Sequence, residues 1–150
     1  MLRWFMPVFM AAVALAAPGV AAADTSSAPA KLSQKVVTVG DSALAKVNVH
    51  AKFSSVDSVC FDFAFVNDLL DPGEFLRITP LKLFPSLGGF GIQNVGSTPQ
   101  AERTVCVDSS GNPDVTALFT DGRENDLEIA MESGSVQIAS LVVTVTGTPA

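Results

Sequence analysis

From residue 35 onward, hydrophobic and polar positions alternate with a period of two, the repeat of a strand that buries one face. The clearest stretch is 43–53, where Ala43, Ala45, Val47, Val49, Ala51 and Phe53 share one phase and Lys46, Asn48, His50 and Lys52 the other. A helix would scatter these residues around its circumference, so the pattern predicts a strand. The same reading predicts strands at 36–39, 59–65, 75–79, 90–95, 104–107, 115–120, 127–131 and 136–145. Turn chemistry separates them: Gly40-Asp41, Asp71-Pro72-Gly73, Gly88-Gly89, Ser109-Ser110-Gly111-Asn112-Pro113, Asp121-Gly122 and Ser133-Gly134. In the last strand Val136 and Ile138 fall in one phase and Leu141, Val143 and Val145 in the other, a slip that a β-bulge near Ala139 and Ser140 produces. A single helical turn is expected at 66–70, ended by Asp71-Pro72. About nine short strands with frequent turns predict an all-β domain, an antiparallel β-sandwich of jelly-roll-like design.

Residues 1–23 break this pattern. Arg3, an apolar run over 5–17, the helix-breaking Pro18-Gly19 and the small Ala21-Ala22-Ala23 form the sequence of a secretory signal peptide cleaved after Ala23. An uncleaved anchor is the competing reading; a lipoprotein would need a cysteine after the cleavage point, where Asp24 stands. Residues 24–34, Ser, Ala and Pro rich at their start, are expected to be a flexible leader, with the sandwich at 35–147 and a tail at 148–150. What remains after cleavage is long enough for one domain with its own core. The apolar run at 136–145 is too short for a membrane helix and is interrupted by Gln137, Ser140 and Thr144, so no transmembrane segment is expected after cleavage. The expected location is secreted or periplasmic.

Export changes the composition. Removing Arg3 takes the formal charge from −6 to −7, which argues against nucleic acid and anionic lipid as partners. Trp4 is the only tryptophan and there is no tyrosine, so phenylalanine is the only aromatic left. In an oxidising compartment the two cysteines have one intramolecular pairing, a Cys60–Cys106 disulfide; a metal-binding or catalytic pair is the alternative, although the spacing fits no zinc or redox motif. Val59, Phe61, Phe63 and Phe65 share a face that excludes Cys60, and Val105 and Val107 one that excludes Cys106. If the apolar faces are core, the bridge lies on the outside of one sheet.

The Asp71-Pro72-Gly73 turn and the closing strand Gly134-Ser135-Val136-Gln137-Ile138-Ala139-Ser140-Leu141 resemble the jelly-roll-like β-sandwich modules of secreted bacterial proteins, carbohydrate-binding modules included. The chain is also similar to exosortase-sorted surface proteins, although their Pro-Glu-Pro, apolar-helix and arginine tail is missing. The resemblance covers residues 36–147. It implies a β-sandwich with an extracellular role and brings no residue-level site.

Among candidate chemistries, a serine triad needs a histidine between serine and carboxylate. His50 is the only histidine, it sits in the polar phase of a strand, and no Gly-x-Ser-x-Gly elbow is present. Paired carboxylates for glycoside hydrolysis are conceivable with fifteen acids, Glu74, Glu128 and Glu132 among them, yet each is placed as a surface acid would be. Hard oxygen ligands for calcium gather at Asn67, Asp68, Asp71 and Glu74, and more densely at Asp121, Glu124, Asn125, Asp126 and Glu128; from the second set Asp121, Glu124, Asp126 and Glu128 are the candidate calcium ligands. Neither set has the EF-hand spacing, and turn-forming acids are the ordinary explanation. Phe84 and Phe90, in a Gly- and Pro-containing segment, are the candidate ligand-binding aromatics, or else close one end of the core. The function expected is that of a secreted, non-catalytic module acting by adhesion, scaffolding or ligand binding on an extracellular protein or glycan, with no obligatory cofactor. The alternatives are a calcium-dependent glycan-binding module and a small secreted glycoside hydrolase using paired carboxylates.

Overall fold

A computed structural model describes residues 23–86 and 89–150. The signal-peptide reading, Ala23 apart, lies outside the described residues, as do Leu87 and Gly88. The elements in chain order are β1 (Asp24–Pro29), β2 (Lys31–Leu32), β3 (Val36–Thr38), β4 (Ser42–Asn48), β5 (Phe53–Phe65), β6 (Phe75–Pro80), β7 (Phe90–Gln93), β8 (Glu102–Asp108), α1 (Pro113–Ala117), β9 (Glu124–Met131) and β10 (Ser135–Pro149). They form two five-stranded antiparallel sheets. One has the order β1-β10-β5-β8, with β3 also paired to β10; the other has the order β2-β4-β9-β6-β7.

The two sheets face each other across one core, as the alternation requires. Val59, Phe61, Phe63 and Phe65 of β5 and Leu141, Val143 and Val145 of β10 point inward from the first sheet. Ala43, Ala45 and Val47 of β4, Leu76 and Ile78 of β6, and Leu127 and Ile129 of β9 meet them from the second. Phe61 is fully buried at the centre, its ring 5.3 Å from that of Phe90 and 6.4 Å, edge-on, from that of Phe119. Burial of a side chain of this size contributes about 1.5–3 kcal/mol.

Cys60 stands directly opposite Cys106 where β5 pairs with β8, and the two form a disulfide. Both sulfurs lie on the outer face, opposite the inward phenylalanines. The bulge is also present: Ile138 pairs with Phe65 and Ser140 with Ala64, leaving Ala139 as the extra residue. It lets one 15-residue strand carry apolar residues inward in both halves.

Four local expectations are corrected. The leader at 24–34 is not free: β1 pairs with β10 from Asp24↔Gly147 to Pro29↔Val142, after which β2 pairs with β4 in the other sheet. β3 then returns to β10. This segment lacks an apolar repeat because it is an edge that crosses between sheets, held by backbone hydrogen bonds. The strand expected at 43–53 is split, since β4 ends at Asn48 and β5 begins at Phe53 in the opposite sheet; Val49 and Phe53 stay buried through the corner, which preserves the phase. The strand expected at 115–120 is instead α1 and the turn after it, with Pro113 in its first turn and Val115 and Phe119, four residues apart, both buried. The helical turn expected at 66–70 is absent: Asn67 takes φ 67° and Leu70 bridges to Gln100.

Candidate functional site

The outer face of the sheet β2-β4-β9-β6-β7 carries hollows at both of its ends. Alternation turns Ser42, Leu44, Lys46 and Asn48 of β4 outward, along with Glu124, Asp126, Glu128 and Ala130 of β9 and Phe75 and Arg77 of β6. The register sets them in rows: Asn48 opposite Glu124, Lys46 opposite Asp126, Leu44 opposite Glu128, and Ser42, Ala130, Arg77 and Gly91 across four strands.

Two hollows open on this face and a third at its seam with the other sheet. At the seam where β1 passes β4, a groove of about 480 Å³ is lined by Ser27, Lys31, Lys46, Asn48, His50 and Glu124. A smaller hollow of about 160 Å³ follows, with Leu44, Lys31 and Lys46 in its wall. At the far edge a trough of about 530 Å³ is formed by Phe75, Arg77, Gly89 and Glu132, with Arg77 and Glu132 ion-paired. On the first sheet's outer face hydroxyls satisfy one another, Thr25 with Thr146 at 3.2 Å and Ser27 with Thr144 at 2.8 Å. That face carries the disulfide and a hollow of about 210 Å³ beside the bulge.

The four candidate calcium ligands do not come together. Asp121 lies in the turn before β9, where it accepts the Arg123 N–H and faces the Arg123 guanidinium at 3.6 Å. Glu124, Asp126 and Glu128 project from alternate positions of one strand, about 6.8 Å apart along it, and Lys46 Nζ stands 3.4 Å from Asp126 Oδ1. Among the described residues no group of three or more His, Cys, Asp and Glu side chains is arranged to hold a metal ion. The other acid set serves the backbone. Glu74 Oε1 accepts the Asp71 N–H at 2.8 Å, its Oε2 accepts the Ser135 N–H at 3.1 Å, and Asp68 accepts the Ser135 hydroxyl.

The two candidate aromatics part company. Phe84 is 62% exposed on the loop after a 3₁₀ turn at Leu81–Leu83, whereas Phe90 packs on Phe61 in the core. The aromatic that lines the trough on this face is Phe75, not singled out from the sequence. Its signal was available: Phe75 falls in the phase of Arg77, while Leu76 and Ile78 hold the buried phase. His50 is exposed and lines the groove, and the Ser27 hydroxyl there is hydrogen-bonded to Thr144. Buried Asn94, also not foreseen, donates from Nδ2 to the Leu70 and Thr98 carbonyls and so holds the chain after β7.

Two turn carboxylates are held below their ordinary acidity range. Asp108 is stabilised as the anion by the Gly111 N–H and then the Ser110 hydroxyl, and Asp41 by the Gln34 amide and then the Ser42 N–H. A lowered folded pKa stabilises the turn fully above the ordinary aspartate pKa, and that contribution is lost as pH falls through the folded value. In an NMR titration Asp108 is therefore expected to titrate below aspartate in an unstructured peptide, with the 109–112 amides moving in step; an ordinary pKa would contradict the assigned bonds.

No protein-family model matches the chain, and no curated protein is significantly similar to it.

Proposed function

We propose that this is an exported, non-catalytic β-sandwich module of the cell envelope or extracellular matrix, binding an extended partner across the outer face of the β2-β4-β9-β6-β7 sheet. The observation that carries the reading is that two hollows open on that face, with a groove beside them at its seam with β1. The signal-peptide pattern and the disulfide support export. The non-catalytic part is supported by the seam groove, where one carboxylate, Glu124, stands among Lys31, Lys46 and His50. Hydrolysis by paired carboxylates needs a second one on the opposite wall.

The test is retention of the purified protein on an envelope or matrix fraction. Leu44→Arg, in the wall of the hollow between β2 and β4, is expected to weaken retention at least about tenfold, as loss of a well-packed apolar contact does. Glu102→Arg, on the outer face of the opposite sheet and away from these hollows, should leave it unchanged. The reverse result would move the site to the other face. Turnover in a hydrolase-substrate screen that disappears in Glu124→Gln would replace the binding role with catalysis.

A further inference from the structure

We infer that the trough at the β6–β7 edge is a subsite for one neutral pyranose ring of a saccharide chain, with Phe75 as its platform. This rests on the reading that the surrounding face is the binding face.

Phe75 is half-buried on the solvent side of the sheet and belongs to no part of the core cluster, unlike Phe53, Phe61, Phe63, Phe65, Phe90 and Phe119. Gly91 lies opposite Arg77; a Cβ there would come 2.8 Å from Phe75 Cε1 and would overlap the Leu76 carbonyl. Gly89, at φ 101°, would place a Cβ 2.9 Å from Arg77 Cγ. The close backbone approach requires glycine at 91, and the Phe75 ring and the Arg77 stem lie in the space that side chains at 91 and 89 would fill, which braces the ring against the strand where it lines the trough.

Beside the ring stands the Arg77–Glu132 pair. A guanidinium presents only donors and a carboxylate only acceptors. Together they match vicinal hydroxyls, each of which both donates and accepts. The pair is already neutralised, so a charged ligand gains little there. A ring with an apolar C–H face and a hydroxylated rim satisfies the platform and the pair at once. A purely aliphatic ligand would cover the polar pair without replacing its hydrogen bonds to water, an unfavourable exchange.

The test is amide chemical-shift mapping with cellohexaose, maltohexaose and chitohexaose as neutral chains and an oligogalacturonate as the acidic one. A neutral chain is expected to give saturable shifts at Gly89, Gly91 and Gln93 at millimolar concentration. Phe75→Ala should weaken binding about tenfold, Phe75→Trp should tighten it, and Glu132→Gln should weaken it less than Phe75→Ala. Phe75 lies outside the core, so these proteins are expected to melt as the parent does. No saturable shift with any neutral chain, or shifts that survive Phe75→Ala, would overturn the assignment. Binding of the oligogalacturonate alone, with shifts around Lys31 and His50, would also overturn it while leaving the face reading intact; insensitivity of envelope retention to Leu44→Arg would overturn the face reading itself.

Discussion

Replacing Cys60 and Cys106 together by alanine is expected to cost the protein about 4 kcal/mol of stability, the chain-entropy value for a closed loop of this length. The bridge spans 46 residues, from the long β5 to β8, the last strand of its sheet. Strand β8 is held on one side only, by a ladder to β5 running from Ser58↔Asp108 to Ala64↔Glu102. Without the bridge, that ladder and the inward Val105 and Val107 must dock against a chain with far more unfolded freedom. Because both sulfurs lie on the outer face, the substitution opens no core cavity, so the loss reports the crosslink rather than packing. Urea denaturation of the double variant and the parent measures it. A loss below about 1 kcal/mol, well under the chain-entropy value, would mean that the unfolded chain already keeps β5 and β8 together.

The second large effect is expected at Gly134. Its φ of 74° disfavours any side chain, and a Cβ there would overlap the carboxylate of Glu74. That carboxylate accepts the N–H groups of both Asp71 and Ser135, joining the turn before β6 to the first residue of β10. Gly134→Ala therefore adds backbone strain of about 1–3 kcal/mol to the loss of charge-assisted hydrogen bonds worth about 1.5–3 kcal/mol each. The expected cost is about 4 kcal/mol, a fall in Tm of roughly 15 °C. Gly40→Ala is the control. Gly40 has φ 87° but nothing within 4 Å of the added Cβ, so only the backbone strain should appear, about 1–2 kcal/mol. Equal losses at the two positions would show that the Glu74 bridge contributes nothing. A smaller effect of Gly134→Ala in a Glu74→Ala background would show the coupling directly.

Much of the architecture was legible before any coordinates. The inward phase of β4, β5, β9 and β10, the outer-face disulfide and the bulge at Ala139 all follow from period-two alternation and its single interruption. Legibility failed where a segment obeys something other than a buried face. The edge strands β1 and β2 are held by ladder bonds to β10 and β4, which leave no mark on side-chain polarity. Segment 115–120 is ambiguous because Val115, Phe119 and the intervening apolar residues satisfy a strand pattern almost as well as a helical one. The Asn112-Pro113 start was the overlooked discriminator.

The candidate site divides in the same way. Which side chains of β4, β6 and β9 face outward could be read from phase, and Phe75 stands out there as an aromatic among polar neighbours. Which of them meet could not. Asp121, Glu124, Asp126 and Glu128 are neighbours in sequence, yet strand geometry sends them along a line, and one of them faces a lysine 80 residues away. Phe75, Gly89 and Glu132 are far apart in sequence and adjacent only because β7 and the turn after β9 flank β6.

By itself, then, the sequence determined the fold class, the burying phase of each long strand and the one possible disulfide, because alternation and cysteine number are local or countable properties. The tertiary structure decided which strands pair, that residues 24–38 thread between both sheets, and that the hollows beside β2 and beside β7 open on one face. Those outcomes depend on register and strand order, set by contacts between residues tens of positions apart that no window along the chain contains.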